Sequence, residues 1–205
     1  MARLSRLAVI RHNFGENPLT AVALLIFVLI VLCAIAGPPL APHDPLATAS
    51  EMRLKPPSRQ HWFGTDQLGR DIFRRVIVAA RLDTGMALLA VSLSLLVGTA
   101  LGSIAGYTGG WPDAVISRIF DTIMAFPLFV LAMGIVAALG NSVVNIIVAT
   151  AIINLPFYGR FARAEVNIRR DTAYIEAARM GGNRPASILI KHIVPNILPP
   201  MAVQA

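Results

Sequence analysis

Charge is scarce in this chain and cysteine nearly absent. Only 14% of the 205 residues are charged and 56% are hydrophobic, where a soluble domain carries about 25% charged residues. A soluble globular class is therefore excluded. The single cysteine, Cys33, lies within an apolar run, which rules out an intrachain disulfide and a cysteine-built metal cluster. His12, His43, His61 and His192 are scattered without metal-ligand spacing. The two lysines, Lys55 and Lys191, do not follow a glycine, so the chain has no G-x-x-x-x-G-K-[ST] phosphate loop and no energy source of its own of that kind. No paired intramembrane carboxylates or nucleophile–base arrangement points to hydrolysis, and no cofactor is expected. A net charge of +7 raises the question of nucleic acid. The arginines, however, flank apolar runs without an aromatic–basic stripe, which is how a membrane protein is oriented.

What is present is a series of long uncharged runs, and these predict an all-α integral membrane protein. Residues 1–18 form an N-terminal tail with Arg3, Arg6 and Arg11, and Leu19–Ala36 is a first span. Eighteen uncharged residues are marginal but adequate, since a span needs about 20. Ala34-Ile35-Ala36 imitates a signal-peptide cleavage site, yet the apolar run is too long for a signal and more spans follow. Residues 37–83 are a proline-rich hydrophilic connection, expected to be extended at first. Asp71–Arg81 reads as an amphipathic helix at the interface, with Thr65 or Asp66 as its cap and Trp62 and Phe63 at headgroup level. A second span is expected over Thr84–Tyr107. Within it Gly98, Gly102 and Gly106 recur every four residues, a small-residue face for close helix approach. A third span, Ala114–Leu139, carries Arg118 and Asp121 at pairing distance on one face and a kink at Pro127. The fourth, Val143–Tyr158, contains Asn154, a candidate cross-helix hydrogen bonder. From Ile193 a fifth begins with too few residues to cross, so residues 84–205 are read as a core that is cut off at its C-terminal end.

Between spans four and five, residues 160–192 form the longest polar interruption of the second half. Tyr174–Met180 has good helix formers, and Gly181-Gly182 permits a sharp bend. Asn183 as cap and Pro185 in the first turn start a second short helix, which Pro195 is expected to end. The result is a helix–bend–helix knuckle suited to being gripped by another protein.

These residues carry a resemblance. Glu176-Ala177-Ala178, then Gly182, then His192-Ile193-Val194-Pro195 at their spacing are similar to the EAA loop of permease subunits of binding-protein-dependent ABC importers. The run Gly64-Thr65-Asp66, Gly69-Arg70-Asp71 before the second span resembles the dipeptide, oligopeptide and nickel branch, in its C-type subunit. Gly181 departs from the larger apolar residue usual there, and Asp83 from a small hydroxyl residue. The resemblance implies the type I importer permease fold, with the chain truncated towards its C-terminus. It also implies a bacterial inner-membrane location with the N-terminus cytoplasmic and Gly37–Asp83 extracytoplasmic. Eleven basic residues on the cytoplasmic face against seven opposite agree only weakly with the positive-inside pattern. Tyr174, Glu176, Ala177, Ala178, Gly182, Arg184, His192 and Pro195 would then couple to the ATPases, Glu176 and its neighbours bracing the knuckle. Implied partners are a second homologous permease subunit, two ATP-binding subunits, an extracytoplasmic substrate-binding protein and the lipid bilayer, with no nucleic acid. The expected function is non-catalytic: part of a translocation pathway for di- or oligopeptides, or alternatively for nickel or another small solute. Rivals from other classes are an intramembrane enzyme using Asp121 and Asn154, and a membrane docking scaffold.

Overall fold

The structure, a computed structural model, describes residues 18–40 and 44–205, and the side chains of all of these except 38–40. The expected tail with Arg3, Arg6 and Arg11 lies outside the described residues, as do Pro42 and His43. The chain divides between Gly85 and Met86 into two compact units. Every extended element among the described residues is helical, and the one β feature is an isolated antiparallel bridge between Thr65 and Asp71.

The first unit opens with α1, Pro18–Leu40, 23 uncharged residues with proline in the first turn. At 1.5 Å per residue it is about 34 Å long, enough to cross a hydrocarbon core of about 30 Å. Most of its side chains are exposed, from Leu19 to Ile35, so lipid is their natural solvent. The connection that follows is more ordered than its prolines suggest. A 3₁₀ turn at Ser50–Met52 sits against the Gly64–Asp71 loop through backbone bonds: Ala49 N–H to Leu68 O at 3.1 Å, Leu54 N–H to Asp66 O at 3.1 Å and Thr65 N–H to Lys55 O at 3.0 Å.

The expected interfacial helix and second span are one continuous helix, α2, Ile72–Thr108. No proline interrupts Arg81–Gly85, and the short polar stretch around Asp83 does not stop a helix. Its 37 residues extend about 55 Å, so nearly half its length lies beyond the hydrocarbon thickness. Asp71, not Thr65 or Asp66, caps it, its Oδ1 accepting the Arg74 N–H at 3.0 Å.

In the second unit the third expected span is broken rather than kinked. Helix α3, Gly110–Met124, and α4, Leu128–Leu139, meet at 94°. Phe126 precedes Pro127 and is pushed out of helical conformation, while Pro127 (φ −56°, ψ 127°) starts the next helix without needing a donor. Alone, α4 is about 18 Å long and cannot cross. Helix α5, Val143–Arg169, runs eleven residues beyond the expected Tyr158 and is the hub. Its Ala149, Ala151, Ile153, Pro156, Tyr158, Gly159, Ala162 and Val166 are buried. Ser142 caps it by accepting the Asn145 N–H at 3.2 Å. Asn154 does not reach across helices; its amide donates to Thr150 O of its own helix at 2.8 Å. After a short α6, Ala173–Met180, and α7, Pro185–Ile188, a π turn at Leu189–Ile193 leads without a break into α8, Val194–Gln204. Pro195 therefore sits in the opening turn of α8, directly after the π turn, instead of ending the helix before it.

Candidate functional site

The knuckle is built from Thr172 to His192. Thr172 is extended (φ −80°, ψ 151°), its carbonyl accepting the N–H groups of Ile175 and Glu176 at 3.0 and 3.1 Å and its hydroxyl donating to Arg169 O at 2.6 Å. This ends α5 and starts α6. At the far end Gly181 N–H donates to Ala177 O at 2.9 Å and Gly182 N–H to Arg179 O at 3.0 Å. Gly182 takes φ +76°, a left-handed conformation that costs a residue with a Cβ roughly 1–2 kcal/mol. Asn183 is not the cap that its type suggests. Its side-chain amide reaches back to Ala178 O at 3.0 Å and ties the bend, while Arg184 (φ −65°, ψ 145°) occupies the cap position with no side-chain bond. The reason is Pro185, which forces its predecessor into extended backbone.

One apolar cluster seats the knuckle. Ile175 of α6, Ile188 of α7, Ile193 of the π turn and Ile197 and Met201 of α8 are buried against Tyr158, Ala162 and Val166 of α5. The spacing Ile188–Ile193 is five residues, which in an α-helix would leave the two side chains about 140° apart. The π turn at Leu189–Ile193 absorbs the extra residue and keeps both on the buried side. Five-then-four spacing of isoleucine is the trace of this turn in the sequence, and the periodic reading of the chain missed it.

Outside, Tyr174, Glu176, Ala177, Arg179, Met180, Gly182, Asn183, Arg184 and Pro185 are exposed, Met180 at 84% and Ile190 beyond it at 65%. Glu176 has no hydrogen-bond or ion-pair partner among the described residues. It does not brace the knuckle. Bracing falls to Thr172, Asn183 and two arginines that sequence reasoning did not single out for it. Arg170 donates to Gly106 O at 3.0 Å, and Arg179 donates to Arg170 O at 3.1 Å with its guanidinium 5.8 Å from the Tyr107 ring centroid. The end of α2 is thereby clasped to the knuckle. His192 is half-buried and its carbonyl accepts from the Asn196 amide at 2.6 Å.

The glycines at 98, 102 and 106 lie where α2 meets α5. A Cβ on Gly98 would stand 2.8 Å from Leu155 O, one on Gly106 2.7 Å from Arg163 O, and one on Gly102 would collide with Gly159 O. Gly159 in turn is roofed by the Phe120 ring of α3. Two ion pairs also strap α3 to α5. Arg163 holds Asp113 with two bonds, Nε–Oδ1 at 2.5 Å and Nη2–Oδ2 at 2.6 Å, and Arg160 holds Asp121 at 2.5 Å. Asp121 thus pairs across helices with Arg160, not along its own helix with Arg118. Asp121 and Asn154, the pair an intramembrane enzyme would need, are each engaged with other groups.

In the first unit, Gly64–Asp71 is the centre of a hydrogen-bonded structural knot. Asp66 Oδ1 accepts the N–H groups of Leu68 and Arg70 at 2.8 and 3.0 Å; its Oδ2 accepts Arg70 Nε at 2.7 Å and Arg75 Nη1 at 2.6 Å. Burial raises the Asp66 pKa, but these bonds outweigh it and bring it down to about 2. Asp71 is likewise lowered: burial opposes it, and bonds from Arg74 N–H and His61, 2.8 Å away, prevail. Thr65 is buried, accepting Lys55 N–H at 2.9 Å and donating to Met52 O. Gly64 and Gly69 have φ +73° and +76°, with Lys55 O and Ala49 O where their side chains would be. Phe73 stacks with Trp62 and Phe63 at 4.9 and 5.2 Å between centroids.

Among the described residues no group of three or more His, Cys, Asp or Glu converges. The knuckle offers shape and a firm seat instead of reactive groups. Residues 98–205 match the family described as the inner membrane component of binding-protein-dependent transport systems, and residues 5–57 the N-terminal transmembrane domain of oligopeptide transport permease C. The dipeptide transport system permease protein of Alkalihalophilus pseudofirmus is 45% identical over 93% of this chain and 62% of its own length. A probable D,D-dipeptide transport system permease protein of Escherichia coli K12 is 42% identical over 92% and 63%. The glutathione transport system permease protein of Pectobacterium atrosepticum is 37% identical over 95% and 69%. The chain spans somewhat under two thirds of the length of the first two.

Proposed function

We propose, from the premise that the chain belongs to the family of inner membrane components of binding-protein-dependent transport systems, that it serves as a permease subunit for di- or oligopeptides, with the knuckle as its drive point. Relatives whose names specify dipeptides and glutathione support a peptide substrate. The observation that carries the coupling role is the contrast between the two sides of Ala173–Met201: an exposed outer face whose Glu176 has no partner among the described residues, and an inner face of five buried side chains locked on α5. A push on the outer face cannot be absorbed locally, because Ile188, Ile193, Ile197 and Met201 move with Tyr158, Ala162 and Val166.

In this reading the knuckle faces the cytoplasm and docks on an ATP-binding subunit. A second permease subunit and a second ATPase complete the core, and an extracytoplasmic binding protein delivers peptide. Closure of the ATPases tilts α6–α8, and the seat passes the tilt to α5. The packed bundle switches between two arrangements, opening the pathway to alternate sides.

The test is reconstitution with the candidate ATPases and a radiolabelled dipeptide. Glu176→Lys reverses an exposed charge without touching the seat, and Gly182→Asp alters the bend. Each is expected to reduce ATP-dependent uptake at least about tenfold, equivalent to about 1.4 kcal/mol of docking. Wild-type uptake in both variants would overturn the assignment.

A further inference from the structure

Helix α2 and the α7–α8 segment enclose an apolar groove of about 500 Å³. One wall is Leu95, Leu96, Thr99, Ala100, Ser103 and Ile104; the other includes Ala186, Leu189, Ile190, Val194 and Leu198. Leu96, Ile190 and Leu198 are more than half exposed at its rim. Two hydroxyls on the α2 wall are anomalous. Thr99 is 8% exposed and Ser103 1%, and neither Oγ has a hydrogen-bond partner among the described residues. The same helix shows how an isolated hydroxyl is ordinarily satisfied: Ser94 Oγ donates back to Ala90 O at 2.8 Å. Thr99 and Ser103 forgo that bond, one turn apart on the wall of the same groove.

We propose that this groove is a phospholipid seat, taking one acyl chain of a single leaflet. Its length selects that occupant. From Leu95 to Ile104, α2 rises about 14 Å, close to half of a hydrocarbon core of about 30 Å. A transmembrane helix would need a groove of the full thickness. The end of the groove at Ile104 and Ala186 lies one turn from the end of α2 at Thr108, beside the knuckle. A glycerophospholipid brings ester carbonyls, acceptors with no donors of their own, and rotation about χ1 would turn the buried, unpartnered hydroxyls of Ser103 and Thr99 towards them. Lys191, exposed in the π turn that follows Ile190 and free of ion pairs among the described residues, is placed to meet an anionic headgroup. Lipid seating is independent of nucleotide coupling and needs no ATPase to be observed.

The experiment places the full chain in nanodiscs of phosphatidylglycerol or of phosphatidylethanolamine. Each disc is doped with the same lipid carrying a diazirine midway along one acyl chain, and photoadducts are mapped by mass spectrometry. Adducts are expected to concentrate on Leu95–Ile104 and Leu189–Leu198, well above the exposed face of α1. Phosphatidylglycerol should label the groove about fivefold more, the equivalent of one basic residue, and Lys191→Gln should erase that preference. Ala100→Phe fills the groove from its exposed wall and should bring labelling down to the α1 level, with α1 itself unchanged. Ser103→Ala, which every helix tolerates, should lower groove labelling even if Ala100→Phe does not fold. Even labelling of all apolar helices, or a groove protected while α1 is labelled, overturns the seat. Equal labelling by the two lipids overturns the anionic headgroup.

Discussion

Two glycines in the same helix should respond to alanine with opposite signs. At Gly102 a Cβ would collide with the O, C and Cα atoms of Gly159, all backbone. No side chain can rotate out of the way, so the helices themselves must separate. At Gly85 nothing lies within 4 Å. Gly102→Ala therefore pushes α2 from α5 by a large fraction of an ångström, and a gap of 0.5–1 Å forfeits about a quarter to a half of each contact along the seam. The seam includes Gly98 against Leu155 and Tyr158 and Gly106 against Arg163 and Val166. Overpacking of this kind costs about 1–3 kcal/mol. Gly85→Ala has no such cost and removes a flexible residue from a helix interior, a gain of up to about 1 kcal/mol.

The difference between the two variants is thus about 1–4 kcal/mol, with opposite signs about the wild type. Thermal unfolding in detergent micelles, followed by far-UV circular dichroism at fixed lipid content, measures it as a split in Tm about the wild-type value. A Gly102→Ala variant as stable as Gly85→Ala would show that α2 and α5 do not touch along this seam. The second unit would then not be packed at its hub, and a push on the knuckle would not move α2 together with α5.

The ion pairs between α3 and α5 are graded by geometry. Asp113→Asn breaks a two-bond pair and should cost about 1 kcal/mol, whereas Asp121→Asn, whose pair with Arg160 is half-exposed on both sides, should cost less; chemical denaturation ranks them, and the reverse order refutes the assignment. In the first unit, Asp66 has a depressed folded pKa of about 2, so its contribution is complete above its ordinary value near 4 and is lost only as pH falls through about 2. Limited proteolysis of the Ala49–Ile72 loop should therefore be unchanged between pH 7 and pH 5, while Asp66→Asn exposes the loop to cleavage at neutral pH; a loop that opens already at pH 5 in the wild type contradicts the network. The clasp between Arg179 and Tyr107 should give a double-mutant coupling of about 0.5–1 kcal/mol, read from the Tm of Arg179→Ala, Tyr107→Leu and the double variant, and strict additivity would mean that the two side chains are independent.

What could be read from the chain alone was whatever the chain encodes locally. Uncharged runs mark the spans because lipid excludes charge over a fixed length. Gly98, Gly102 and Gly106 mark a face because four residues are nearly one turn. Gly182 and Pro185 mark the knuckle because each restricts its own backbone and its neighbour's. The failures share a cause as well. Helical spacing pairs Asp121 with Arg118 three residues away, yet its partner Arg160 is 39 residues on, and Asp113 is held by Arg163 fifty residues on. Which arginine wins depends on which helix lies opposite, and no periodicity within one helix carries that. The continuity of α2 through Asp83 and the passage of α7 through the π turn past Pro195 were missed for a related reason. A single unfavourable residue loses to the neighbours that hold its helix in place.

The same division explains where the knuckle draws its definition. Its outer contour comes from local chemistry, a threonine start, a left-handed glycine and a proline that fixes the residue before it. Its orientation comes from five side chains spread from Ile175 to Met201, all meeting one stripe of α5. The π turn is what reconciles the two. With one residue fewer between Ile188 and Ile193 the spacing would be four, an ordinary α-helical turn would keep both on the buried side, and no π turn would be needed. A single-residue deletion at Ile190, on the exposed side of the turn, should therefore leave the seat in place as regular α-helix, whereas a single-residue insertion there adds no buried group and yet rotates everything after it by about 100°. The knuckle's position is therefore a property of register between α7 and α8, and a change of register is the smallest alteration that would disconnect its outer face from the bundle while leaving both helices formed.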